Sequence, residues 1–267
     1  MSIRVSTLAN GMRVATDPMD WVETASVGVW VEAGSRNESA AASGVSHFLE
    51  HMVFKGTRRR DARAIAEEIE TVGGHLNAHT SREYTAFYAK VLKEDVALAV
   101  DIIADILQDA TLDGEELGRE RTVIMQEIMQ AQDTPDDIIF DRFQEKAFPA
   151  QPLGRPVLGA PESIEAMSRE ILTGYMRQHY GAPRMVLAAS GQVEHDAMIE
   201  LANSAFDRLP PTVAAEREPG RYVGGDFREE RDLEQVHLVL GFQGAGYRDP
   251  DFYPLSVLST LLGGGMS

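Results

Sequence analysis

The chain has 267 residues, 43% of them hydrophobic, with 42 acidic against 25 basic side chains and a net charge of −17. That much apolar material excludes wholesale disorder, and the acidity disfavours nucleic acid and anionic membranes as partners while favouring cationic ligands. With no cysteine there are no disulfides and no thiolate metal sites, so any zinc must be held by His, Asp or Glu.

The opening stretch MSIRVSTLANGMRVATD has neither an apolar leader region nor the Arg-rich amphipathic pattern of an organelle presequence. No apolar run approaches the roughly 18 residues that a membrane span needs. A soluble, cytoplasmic protein without membrane insertion is the expectation.

In chain order, IRVSTL and MRVATD flank the turn ANG and predict a hairpin. TASVGVWVEAG alternates from Ser26 and ends at Gly34, as a strand with one buried face does. Helical spacing takes over from Gly44 to Phe54. DARAIAEEIETVGG predicts a second helix, capped by Asp61 and ended by Gly73-Gly74. HLNAHT and YTAFYAKVL read as strands around the turn SRE. KEDVALAVDIIADILQD follows as an amphipathic helix with Val96, Ala99, Val100, Ile103 and Leu107 on one stripe. Further helices are predicted over Glu115 to Ala131 and, after the break at Pro135, over Asp136 to Ala147. RMVLAASGQV is a late strand, and a helix over Glu194 to Arg208 closes the region.

The stretch Pro210 to Gly225 is rich in Pro, Gly and charge and reads as a linker. Beyond it, LEQVHLVLGFQGAGYRDPDFYPLSVLSTLLGG echoes VETASVGVWVEAGSRNESAAASGVSHFLEH. Ala245-Gly246 and Arg248 match Ala33-Gly34 and Arg36, each preceded by an expected strand. The expected organisation is a catalytic domain over 1–212, a linker over 213–225 and the start of a degenerate second copy over 226–267. So short a second copy cannot form its own core, which suggests a fragment of a longer polypeptide.

The chemistry concentrates in GVSHFLEHMVFKGT. His47, Glu50 and His51 stand at i, i+3 and i+4 and share a helix face, so both histidines can grip one ion with Glu50 beside it. A catalytic zinc needs three protein ligands and a base for its water, and H-x-x-E-H supplies two ligands and the base. Two histidines at that spacing also occur as ordinary helix residues. A third ligand is available in ERTVIMQEIMQ, where Glu120 and Glu127 lie seven apart, close to two turns, and point the same way. Glu127 could bind metal with Glu120 orienting a ligand, or both could be solvated helix glutamates.

These motifs resemble the pitrilysin-type zinc peptidases, the inverzincins, and most closely their processing-peptidase β-subunit branch, mitochondrial and bacterial. HFLEHMVFKGT, GGHLNAHTSREYTAFYAKVLKED, ERTVIMQEI, LGRPVLGAPESI and GAPRMVLAASG occur in family order along essentially the whole chain. The resemblance implies one Zn2+ per chain held by His47, His51 and Glu127, with Glu50 as base and Glu120 as the supporting carboxylate. It implies an α+β fold, an antiparallel-rich mixed sheet covered by helices on one side, in a duplicated-domain arrangement whose second copy is truncated here. The implied activity is zinc-dependent endopeptidase on extended or unfolded peptides, in a homodimer or a heterodimer with a similar subunit. A non-catalytic assembly subunit and a zinc-stabilised peptide binder are the alternatives. By the same resemblance HLNAHT is the edge strand onto which a peptide adds, with Asn77 and Ala78 at its backbone. Phe54 lines the pocket just past the cut bond, with core packing as the alternative. Asp137 and Asp141 receive an arginine upstream of the cut, with a solvated acidic face as the alternative. The chain departs from the family at His79, where an aromatic such as tyrosine is usual. His75, Asn77 and His79 share a strand face but lack a third strong ligand, so no second metal site is expected there.

Overall fold

The computed structural model describes residues 3–211 and 219–264. The first two and the last residue of the expected catalytic domain, residues 213–218 of the expected linker and the last three residues of the expected second copy therefore lie outside the described residues.

Six strands form one mixed sheet: β1 (Arg4–Thr7), β2 (Arg13–Pro18), β3 (Thr24–Val31), β4 (His75–Thr80), β5 (Thr85–Leu92) and β6 (Met185–Gly191). Their order is β1-β2-β6-β3-β5-β4. The β1–β2 hairpin turns where sequence predicts, with Gly11 at φ +91°, a conformation glycine adopts without a Cβ penalty. All neighbours are antiparallel except β2 and β6, which run parallel from Arg13 beside Val186. The last strand in sequence thus enters the middle of the sheet, and β4 is left as one edge.

The side-chain period of two puts Ala25, Val27, Val29 and Val31 of β3 on the buried face with Phe87, Ala89 and Val91 of β5 and Leu187 of β6. On the other face Ser26, Trp30, Lys90 and Leu92 are exposed. Among the described residues there are nine α-helices. They are α1 (Val45–Val53), α2 (Ala62–Thr71), α3 (Val96–Asp109), α4 (Gly114–Asp133), α5 (Pro135–Ala147), α6 (Pro161–Glu165), α7 (Arg169–His179), α8 (His195–Ala205) and α9 (Phe252–Gly263). Helix α3 lies on β3 and β5 through its wholly buried Ile102, Ile103 and Ile106, and α8 packs on β2. Helices α6 and α7 have no counterpart among the sequence expectations.

Buried charge ties the loop after α1 to this core. Asp105 on α3 accepts from Thr57 Oγ1 at 2.9 Å and from Arg60 Nη1 at 2.8 Å. Arg60 spends its remaining donors on Asp101 at 2.7 Å and Glu68 at 2.9 Å. A planar guanidinium with a carboxylate in each direction can be buried because its donors are answered.

The second-copy region departs from expectation in one respect. Val236, Leu238, Leu240 and Phe242 alternate as a strand would, yet no strand forms between residues 219 and 264. Among the described residues no strand lies beside the segment to pair with it, and its apolar stripe stands 75–93% exposed. Contacts to the rest include His237 Nδ1 to Asp136 at 2.8 Å, Arg231 to the Gln132 carbonyl at 2.6 Å and the Phe143 ring of α5 against Gly241. Helix α9 follows it and buries no residue.

Candidate metal centre

Helix α1 begins under unusual constraint. Its N-cap Gly44 has φ +91°, and a Cβ there would stand 2.7 Å from Ile164 Cδ1 and 2.8 Å from the Leu158 carbonyl oxygen. Only glycine fits such a left-handed, crowded position. The free N–H groups of the first turn are answered from a distance. Glu38 accepts from Gly44 N at 2.7 Å and from Ser46 N at 2.9 Å, and Ser46 Oγ donates to Tyr175 of α7 at 2.8 Å. A carboxylate at a helix N-terminus also meets the positive end of the dipole. Glu38 is nevertheless so enclosed that burial pushes its carboxyl up to about 7, against the pull of the Ser46 and Gly44 amides and of Arg155.

From that fixed start, one turn of α1 carries His47 and His51 toward α4. Their rings meet edge to face with centroids 4.7 Å apart. On α4, whose N-terminus is capped by Asp113, Glu127 presents Oε2 at 3.8 Å from His47 Nε2 and 3.7 Å from His51 Nε2. One ligand atom from each of the three lies within 4.8 Å of the others. These spacings are slightly wider than the ligand–ligand distances around a tetrahedral zinc with bonds of about 2.0–2.2 Å, and a small inward movement closes them.

The electrostatics fit a cation. Burial, with His51 beside it, lowers the His47 imidazole to about 4, so it stands neutral with a free lone pair at neutral pH. His47 Nδ1, Glu127 Oε2 and Glu50 Oε2 are buried without a hydrogen-bond partner among the described residues. Two unpartnered acceptor oxygens beside two imidazoles leave unsatisfied negative potential, which a divalent cation would satisfy. The set of two histidines and a carboxylate is one that zinc accepts.

Glu120 lies two turns back along α4. His51 Nδ1 donates to its Oε2 at 2.9 Å, which fixes Nε2 as the ring nitrogen turned to Glu127. Burial alone would raise the Glu120 carboxyl, but the hydrogen bonds from Lys55 and His51 hold it below the ordinary carboxylate value. Lys55 Nζ is 2.7 Å from Glu120 Oε1. Sequence reading missed Lys55 and Glu38. Lys55 follows His51 at i+4, so the spacing held a signal; Glu38 held none, because its partners are backbone amides.

The remaining site candidates are more dispersed. Phe54, the C-cap of α1, packs on the core with its ring 6.4 Å from Phe87. Asn77 and Ala78 lie on the edge strand β4, beside α1. There Asn77 Oδ1 accepts from the Ala78 N–H at 2.8 Å. His79 is exposed, 6.2 Å from the Tyr84 ring. Asp137 is exposed on α5. Asp141, one turn on, holds Arg82 of the β4–β5 turn at 2.7 Å, so an internal guanidinium sits where an external one was expected.

The chain resembles known proteins over most of its length. The chain is 44% identical over 266 residues to a probable mitochondrial-processing peptidase subunit beta of Arabidopsis thaliana, covering 97% of the chain and 50% of that protein. It is 39% identical over its whole length to an uncharacterized zinc protease of Rickettsia felis, covering 65% of it. The chain thus spans between half and two thirds of these relatives. Among solved structures, pitrilysin superposes with a TM-score of 0.74 at 25% identity, covering 84% of the chain and 24% of pitrilysin. A peptidase M16 inactive domain from Pseudomonas fluorescens superposes with a TM-score of 0.85 at 17% identity, over all of the chain and 65% of that structure, a likeness of fold. A model of the peptidase M16 inactive domain matches residues 166–267. Residues 13–161, over half of the chain and including every residue of the His–His–Glu cluster, match the model for insulinase, peptidase family M16, and to that family the chain belongs.

Proposed function

We propose that the chain is the metal-bearing part of a zinc-dependent endopeptidase that cleaves extended peptides. The observation that carries this is the convergence of His47, His51 and Glu127 from two helices, with Glu50 on the same turn and one of its oxygens unpartnered. His47, His51 and Glu127 would hold the zinc. Bound there, zinc supplies Lewis acidity, polarising a peptide carbonyl and making water more acidic. Glu50 takes the proton of the attacking water and returns it to the leaving amine. Glu120 keeps His51 in the tautomer whose Nε2 is free. The edge strand β4 offers its open side to a peptide in extended form, which supports unfolded segments as substrates.

A preference for a basic residue upstream of the cut rests on Asp137 and Asp141. Because Asp141 already holds Arg82, a substrate guanidinium would take Asp137 and compete with Arg82 for Asp141. Pairing with a similar subunit is supported by the Arabidopsis relative being named a subunit. The alternative of a non-catalytic partner is disfavoured by the intact set of ligands and base.

The deciding experiment compares the zinc-loaded parent with Glu50→Gln on an unstructured peptide. Loss of most turnover with zinc retained is expected. Near-normal turnover by a zinc-loaded Glu50→Gln protein would remove Glu50 as the base.

A further inference from the structure

Rungs join α1 to α4 in a fixed order. His47 faces Glu127, His51 faces both Glu127 and Glu120, and Lys55 faces Glu120. As numbers rise on α1 they fall on α4, so the two helices run antiparallel at the site. His47, His51 and Lys55 follow one another at intervals of four, one stripe on a helix face, although Lys55 lies just past the helix end. The mechanism uses the first two rungs and leaves Lys55 without a role.

The Glu120 side chain is 7% exposed and is held on both oxygens, by His51 on Oε2 and by Lys55 on Oε1. A buried carboxylate held by one oxygen alone can swing about that bond, and its other oxygen is then left unanswered. Held by both, it is fixed in plane and direction. We infer that Lys55 is a positioning residue of the metal centre: its ammonium pins one oxygen of Glu120 so that the other stays aimed at His51 Nδ1, which keeps His51 Nε2 turned toward Glu127. The inference rests on the zinc reading for its metal arm only.

Positioning and plain electrostatics predict opposite signs for removing this ammonium. Lys55 is a positive charge near a cation site, so by Coulomb repulsion alone its loss would tighten zinc. If its work is to aim Glu120, its loss loosens zinc, by roughly the 10-fold or more that a supporting partner of a ligand contributes. Lys55→Met removes the charge and keeps the length. Lys55→Arg keeps both a charge and a donor for Oε1.

The experiment uses the 267-residue chain stripped of metal and titrated with zinc against a chromophoric chelator. Lys55→Met should raise the zinc Kd about 10-fold, and Lys55→Arg should stay within about threefold of the parent. A second arm needs neither zinc nor activity. Nitrogen-15 spectra of the histidine rings in the metal-free protein should give His51 as the Nδ1-protonated tautomer in the parent and Lys55→Arg. In Lys55→Met that signal should turn into a mixture. An unchanged or tighter zinc Kd in Lys55→Met, or an unaltered His51 tautomer, would overturn the inference. Should the parent itself fail to bind zinc, the zinc reading falls and the ring spectra still decide the role of Lys55.

Discussion

Arg82 Nη2 stands 2.7 Å from Asp141 Oδ1, joining the tip of the β4–β5 hairpin to α5. Both side chains are about a third exposed or less, at 27% and 30%, and such half-open pairs are worth at most about 1 kcal/mol. The contact is therefore weak enough for an incoming guanidinium to replace. Arg82→Ala should lower KM about two- to fivefold for a peptide with arginine two or three residues before the cut, and leave an alanine counterpart unchanged. Steady-state kinetics on the two peptides checks this; an equal change in both would detach Arg82 and Asp141 from recognition.

Glu127 supplies the only carboxylate within the His–His–Glu cluster among the described residues. Glu127→Gln should weaken zinc by more than the roughly 10–100-fold cost of losing a supporting partner, because a ligand and a charge go together. The chelator titration described for Lys55 reads this directly. Full zinc occupancy at equal chelator would take Glu127 out of the site.

Glu38 couples folding to pH. Its carboxyl is pushed up to about 7 from an ordinary 4.5, chiefly by burial, so folding takes up a proton between those values. The stability from this group is complete below 4.5 and is lost as pH rises through about 7. Between about pH 5.5 and about pH 8 the parent should lose on the order of 2 kcal/mol relative to Glu38→Gln, which cannot ionise. Denaturant unfolding of both proteins at the two pH values measures the difference. A pH-independent gap would show that Glu38 is ionised throughout.

Asp105 should matter for stability well away from the site. Its carboxylate is shared by Thr57 and Arg60, with the Arg60 side chain only 8% exposed. Asp105→Ala leaves a buried guanidinium short of a partner and should cost about 2–4 kcal/mol in unfolding free energy. A loss under about 1 kcal/mol would mean that Asp101 and Glu68 satisfy Arg60 unaided.

Local structure was readable from the sequence wherever periodicity was long and capped. The helical spacing from Gly44 to Phe54 became α1 at Val45–Val53, Asp61 does cap α2 through the Ala64 N–H, and the strands around SRE became β4 and β5. Helix α7 was overlooked although Ile171, Leu172, Tyr175 and Met176 have helical spacing and Ser168 caps it, because polar residues fill the rest of its surface. The entry of β6 between β2 and β3 could not be read, since strand order is set by pairing over long separations. Val236 to Phe242 misled for the same reason: alternation states which face would be buried, not whether a neighbouring strand exists. At the site, the i, i+3, i+4 and i, i+7 spacings gave which side chains share a helix face. That α1 and α4 run antiparallel, which brings Lys55 to Glu120 and not to Glu127, depends on packing that no single helix encodes.

The side-chain bond from Asn77 to the Ala78 N–H has a consequence for solubility. An edge strand with open donors is a template on which identical chains can stack. Asn77 covers the Ala78 donor with its own amide oxygen, a partner from the same strand that costs no second chain. The edge is thus shielded from casual self-pairing by a latch that any better-matched acceptor can open, and Asn77→Ala should leave the chain more prone to aggregate on concentration while leaving its fold unchanged.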